Sequence, residues 1–213
     1  PVPIPKGEYP DPIEKREADF DSFVAFDFET TGKYPGTNAI IEVGAVKVVN
    51  GQVIESEEFI FQEFVKPFKR GLSAEITKLT GITKDDLKNA RQMWEVIPDF
   101  MKFVGDDILV GYNSIGFDAK FLCRAGRYCN TVYTNKHFDV WRYVREKKDA
   151  IHYTGTDFRL ATVGEFLDIE NPEAHRALAD AVTTAKIYLK LKGMNEDTSA
   201  AVSADSVLDL EDW

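Results

Sequence analysis

The stretch Phe23-Val24-Ala25-Phe26-Asp27-Phe28-Glu29-Thr30-Thr31-Gly32 decides how the chain is read. Its first four residues are a short apolar run of the kind that forms a buried strand, and the run delivers Asp27 to the strand's carboxyl end. Side-chain direction repeats every second residue along a strand. Asp27 and Glu29 therefore share one side of the backbone, while Phe26 and Phe28 face the other as packing residues. Two anions held side by side repel unless a cation lies between them. Taken alone, the pair is also what an exposed strand end carries, because acids are abundant: 36 Asp and Glu against 26 Lys and Arg. Thr30-Thr31-Gly32 then supplies a polar turn with accessible backbone amides.

Outward from this strand the pattern predicts a mixed sheet. Residues 40–49 are a β-branched run, and Asn50-Gly51 is the strongest short hairpin signal. Residues 52–65 read as the returning strand, with Phe59, Phe61 and Val65 alternating. That makes three strands in antiparallel succession. After Pro67 the spacing turns helical. Ser73 caps a segment holding Ile76 and Leu79, and Trp94, Ile97, Met101 and Val104 recur at helix spacing up to Gly105. Residues 108–111 read as a fourth strand, Phe117, Phe121 and Leu122 mark a helix, and residues 137–140 form a short fifth strand. Residues 161–167 and 177–191 come next as helices, the second richly apolar on one face and broken at Gly193. The expected class is α/β: a mixed five-stranded sheet, three antiparallel strands and then parallel ones, flanked by helices.

The 213 residues, 44% of them hydrophobic, suffice for one domain with its own core. We place that domain at residues 23–194. Residues 1–22 are proline-rich with alternating charges and read as a poorly packed arm. Residues 195–213, rich in Ser, Ala and acids, read as a disordered tail. Val207, Leu208, Leu210 and Trp213 sit among those acids, a composition that suits either a solvated end or a segment folding onto a partner groove. No run of about 18 uncharged apolar residues is present, and the first residues lack a signal-peptide layout, so a soluble, cytoplasmic protein without membrane contact is expected. Cys123 and Cys129 have no histidines at zinc-finger spacing and read as reduced thiols.

The net charge of −10 is unevenly distributed along the chain. Residues 195–213 carry −6 and residues 1–22 carry −3, leaving −1 for residues 23–194. Lys66, Lys69, Arg70, Lys78 and Lys84 cluster around the Leu79 segment, where they could track phosphates or simply form a solvated face.

Two further acids matter. In Asn113-Ser114-Ile115-Gly116-Phe117-Asp118 a polar loop leads into a helix that Asp118 opens, and by itself such an acid is what a helix dipole favours. In His175-Arg176-Ala177-Leu178-Ala179-Asp180 an acid interrupts a run of small apolar residues, with a histidine five positions earlier that alone would read as a surface or capping residue.

Together, Asp27 with Glu29, then Asp118, then His175 with Asp180 resemble, in this order, the DEDDh exonucleases of the DnaQ type, a family that includes the proofreading subunits of bacterial replicases, RNase T and oligoribonuclease. The resemblance runs from about Phe23 to Leu191. It implies a ribonuclease H-like fold and a 3′→5′ exonuclease that releases nucleoside monophosphates from DNA 3′ ends, in proofreading or repair. It further implies two divalent ions, Mg²⁺ or Mn²⁺, held by Asp27, Glu29, Asp118 and Asp180, with His175 taking the proton from the attacking water. Thr30 and Thr31 would meet the terminal 3′ hydroxyl, Leu79 and Thr80 would wedge against the last base, and Asn113 and Phe117 would join them in binding substrate. The implied partners are single-stranded DNA or RNA 3′ ends, with a DNA polymerase subunit or a second copy of the chain as candidates. Trimming of RNA 3′ ends is the alternative activity. A catalytically silent module on a polymerase is another, against which all five catalytic positions stand.

Overall fold

The structure, a computed structural model, describes residues 13–68 and 71–208, with side chains as far as Met194. In chain order the strands are β1 (Ile13–Glu14), β2 (Phe23–Thr30), β3 (Ile40–Val49), β4 (Gln52–Val53), β5 (Ile60–Lys66), β6 (Arg91–Gln92), β7 (Leu109–Gly111) and β8 (Lys136–Asp139). The helices are α1 (Ala74–Thr80), α2 (Lys84–Lys88), α3 (Met93–Val104), α4 (Asp118–Cys129), α5 (Val140–Lys147), α6 (Leu160–Phe166) and α7 (Ala177–Leu208). One sheet runs β1-β8-β7-β2-β3-β5-β6, with β4 paired to β3. The pairs β2 with β3 and β3 with β5 are antiparallel, while β7 pairs in parallel with β2 and with β8. The expected mixed architecture holds, with the five expected strands at its centre.

Local chemistry explains the elements. Asn50 and Gly51 turn the chain with φ of 50° and 75°, the left-handed pair that a two-residue hairpin demands. The side chain of Ser73 accepts from the Ile76 amide at 3.2 Å and starts α1. Gly81, at φ 73°, ends it. Side chains of β2 alternate between the two faces. Phe26 and Phe28 join Phe100 and Leu122 under α3 and α4, while Phe23 and Ala25 join Phe138, Tyr188 and Leu191 under α5, α6 and α7. Each large side chain so buried contributes about 1.5–3 kcal/mol relative to exposure.

Several boundaries differ from expectation. Residues 52–65 divide into β4, a short 3-10 turn at Glu57–Phe59, and β5. Val140 starts α5 instead of ending a strand, because the Asp139 side chain accepts from the Trp141 amide at 3.1 Å and caps a helix there. Helix α7 passes through Gly193, where a break was expected. An interior glycine costs only about 1 kcal/mol relative to alanine, so good helix formers on both sides carry the helix across. The same helix continues through residues 195–208, the first part of the segment read as a tail; residues 209–213, with Leu210 and Trp213, lie outside the described residues. The arm joins the domain from Ile13 onward. Ile13–Glu14 extends the sheet beside β8, and Phe20 stacks on Tyr188 with ring centroids 4.7 Å apart. Residues 1–12 lie outside the described residues, and among those described no helix is long and apolar enough to cross a membrane.

Candidate active site

Strand β2 presents Asp27 and Glu29 on the face that α7 covers, and the register of β3 decides what stands next to them. Gly44 lies opposite Asp27, and Glu42 lies opposite Glu29. With no side chain at Gly44, the first turn of α7 sits directly on the strand: a Cβ there would fall 2.1 Å from the Leu178 nitrogen and 2.2 Å from the Ala177 carbonyl carbon. That seat brings Asp180, one turn into the helix, over Asp27 and Glu29. The metal-capable atoms of Glu29, His175 and Asp180 lie within 4.8 Å of one another.

Asp118 reaches the same place from the other side. It opens α4, is only 2% exposed, and its Oδ1 accepts from the Phe28 amide at 3.2 Å. Its carboxyl is pushed up to about 8 by burial, with Asp139 and Asp180 adding to the effect and two backbone amides opposing it. Glu29 is likewise pushed up to about 8, first by burial and then by Asp180, Glu42 and Asp118. Asp27 is raised by burial, and next by Asp118 and Asp180. Asp180 is raised by burial, against the hydrogen bond from Asn171 and the nearby His175. The four carboxylates thus feel one another in a poorly solvated place, and the arrangement calls for positive charge to balance it. A donor set of carboxylate oxygens suits hard divalent cations such as Mg²⁺ or Mn²⁺.

Asp27, Glu29, Asp180 and His175 line a cleft of about 790 Å³, with Asn113 and Phe117 at its wall. Asp118 lies beneath that lining. The lining also includes Tyr112, Trp141 and Phe158, with the Tyr112 hydroxyl donating to the Phe158 carbonyl at 2.8 Å. The other expected substrate contacts are placed outside the lining. The Thr30 hydroxyl donates to the Gly32 carbonyl, and the Thr31 hydroxyl accepts from the Ala39 amide at 3.0 Å, so both stabilise the turn after β2. The Thr80 hydroxyl donates to the Ile76 carbonyl and accepts from the Ile82 amide, closing α1. Leu79 is 52% exposed. Lys66, Lys78 and Lys84 are exposed too, while Lys69 and Arg70 lie outside the described residues.

Three supporting groups escaped the sequence reading. Asp139, buried at the end of β8, accepts from the amides of Asn113 and Ile115 at 2.9 and 3.2 Å and so fixes the loop ahead of Asp118. Asn171 donates to Asp180 Oδ1 at 2.6 Å. Glu42, wholly buried, takes the Arg176 guanidinium and the Ala177 amide. The available signal was an acid inside an apolar strand, in Ile40-Ile41-Glu42-Val43 and His137-Phe138-Asp139-Val140, the same kind of signal that marked Asp27.

A family model described as exonuclease matches residues 24–188, most of the chain. The DNA polymerase III PolC-type of Bacillus subtilis is 38% identical over 171 residues, covering 80% of this chain and 11% of that protein. The PolC-type polymerase of Caldanaerobacter subterraneus is 33% identical over 190 residues, covering 89% of this chain and 12% of that protein. The chain thus spans about a ninth of the length of these relatives. Among solved structures, exonuclease I of E. coli in complex with a dT13 oligonucleotide superposes with a TM-score of 0.73 at 18% identity, over 85% of this chain and 43% of that one. Another exonuclease I structure gives 0.71 at 20% identity, over 82% of this chain and 41% of that one. Identity that low speaks for the fold alone.

Proposed function

The chain belongs to the exonuclease family, as one of its DnaQ-like 3′→5′ members, and from that premise we propose that it releases nucleoside monophosphates from DNA 3′ ends by two-metal-ion hydrolysis. The observation that carries the reading is the convergence of Glu29, His175 and Asp180 within 4.8 Å, beside Asp27 and in one cleft. Asp27, Glu29, Asp118 and Asp180 would hold two ions, Mg²⁺ or Mn²⁺, which supply charge to the phosphoryl oxygens and make water a stronger nucleophile. The protein's own share is orientation and proton transfer. His175, exposed at the mouth of the cleft, accepts the proton of the attacking water at a ring nitrogen. Asn171 fixes which way the Asp180 carboxylate faces, and the Phe28 amide does the same for Asp118. The lining aromatics Tyr112, Phe117, Trp141 and Phe158 offer faces on which unpaired bases can stack without regard to sequence.

DNA is preferred over RNA as substrate because the relatives at 33–38% identity are DNA polymerases, and the same likeness supports a DNA polymerase as the partner. The test is release of mononucleotides from a 5′-labelled single strand with Mg²⁺ or Mn²⁺, with Asp27→Ala as control and DNA and RNA versions side by side. Release from DNA with either ion, lost in Asp27→Ala, is expected. No release with either ion refutes the enzyme reading, and release from RNA alone moves the substrate to RNA.

A further inference from the structure

His175 holds a backbone φ of 66°, in the left-handed region, immediately before the first turn of α7. The next residue, Arg176, grips a buried carboxylate. Glu42, on β3 and 0% exposed, accepts at Oε1 from Arg176 Nη2 at 2.8 Å and Gln62 Nε2 at 3.1 Å. Its Oε2 accepts from Arg176 Nε at 3.2 Å and from the Ala177 amide at 3.1 Å. The Arg176 guanidinium also lies over the Phe64 ring, 5.5 Å from its centre.

We propose that Glu42 and Arg176 are positioning residues for the hydrolysis: their buried fork fixes the backbone at residues 176 and 177 and thereby aims the His175 imidazole at Glu29 and Asp180. This rests on the exonuclease reading above. Both oxygens of Glu42 are taken by the arginine, the glutamine and a backbone amide, so the carboxylate is not free to serve as a fifth metal ligand. Charge alone does not explain the pair either. A guanidinium fixes two directions at once, where an ammonium would supply the same charge as a point and leave the backbone free to turn. The His175 amide donates to the Asp180 carboxylate, and Arg176 bonds Glu173 and Asp180 through its backbone, but none of the described hydrogen bonds holds the imidazole itself; its aim depends on the backbone the fork helps to fix, and a general base displaced by about 1 Å loses about 100-fold in rate.

Arg176→Lys keeps the charge opposite Glu42 and removes the fork. It should lower kcat about 10- to 100-fold with KM changed less than about twofold. In a His175→Ala background, assayed with Mn²⁺ on the residual activity, the same substitution should cost less than about threefold, because the group it positions is gone. The chain has three histidines, so their ring signals can be assigned by NMR through single substitutions. Arg176→Lys should move those of His175 and leave those of His137 and His152 in place. Gln62→Ala, which loosens the same carboxylate without touching the arginine, should show a smaller loss with the same non-additivity and serves if Arg176→Lys does not fold. Equal losses in both backgrounds, or unmoved His175 signals, overturn the proposal. A wild-type protein inactive with both metals would overturn the exonuclease reading instead, while the ring signals would still report on the clamp.

Discussion

Replacing Gly44 by alanine is the sharpest perturbation of the site, because it adds one methyl group and alters none of the proposed ligands. An added Cβ would lie 2.1 Å from the Leu178 nitrogen, 2.2 Å from the Ala177 carbonyl carbon and 2.6 Å from the Leu178 Cα. Ordinary contacts begin at 3.4 Å. The start of α7 must therefore rise from β3 by about 1.3 Å, and all three atoms are backbone, so no rotamer change relieves the overlap. Overpacking of this kind costs about 1–3 kcal/mol, and in a domain of this size each kcal/mol moves Tm by about 2–4 °C. Activity should suffer more than stability, since Asp180 and His175 ride on the displaced segment; a loss of about 100-fold in kcat is expected. The assay pairs thermal unfolding with mononucleotide release, and Gly36→Ala, where a Cβ meets nothing within 4 Å, is the control. If Gly44→Ala kept its kcat within about twofold and its Tm unchanged, the close seating of α7 would not be what sets the catalytic geometry.

Other outcomes rest on the same structure. Glu29→Gln removes one of four mutually repelling carboxylates, so in EDTA its Tm should rise above wild type, while with Mg²⁺ its turnover should fall by about 1,000-fold; a lower Tm in EDTA would contradict the electrostatic account. Asn171→Ala leaves Asp180 without its 2.6 Å hydrogen bond and should weaken Mn²⁺ binding by about 10-fold in calorimetric titration, with unchanged affinity counting against that role. His137 is buried between Phe26 and Tyr133, with neither ring nitrogen bonded, and burial lowers it to about 4. The unfolded chain thus binds the proton more readily between about pH 6.5 and 4. The contribution of His137 to stability should fall by about 3 kcal/mol as pH drops through that window, opposite in sign to that of the raised Glu29 and Asp118 carboxyls, so His137→Phe should gain stability relative to wild type on acidification in urea titrations; a difference that does not change with pH would refute this.

The sheet was legible because β2 and β3 are apolar runs whose period and turn chemistry agree, and because Asn50-Gly51 permits only a tight hairpin. Asp27, Glu29, Asp118, His175 and Asp180 were each ambiguous alone and became a candidate set only through their resemblance, taken in order, to the motifs of the exonuclease family. Helix α5 was hidden because its cap, Asp139, looks like the end of a strand; only the third dimension shows that the same carboxylate also holds the amides of Asn113 and Ile115. The roles of Glu42 and Gly44 depend on the register of β3 against β2 and on what α7 lays across it, neither of which sequence spacing encodes. Thr30, Thr31 and Thr80 show the converse. Their hydroxyls look unpartnered in sequence, yet each bonds a neighbouring backbone group, the Thr31 oxygen as acceptor only.

The seat of α7 on β3 also bears on when the enzyme can exist. Asp27 enters near the start of the described chain and Asp180 near its end, so the ligand set forms only after a loop spanning most of the domain has closed. Closing such a loop is entropically among the slowest contacts to make, and strands β2, β3 and β5 can pair well before it. A folding intermediate with its sheet in place but α7 undocked would carry Asp27 and Glu29 and still cut nothing. Nuclease activity should therefore lag behind sheet formation during refolding, and the domain would remain harmless to nucleic acid until α7 lands.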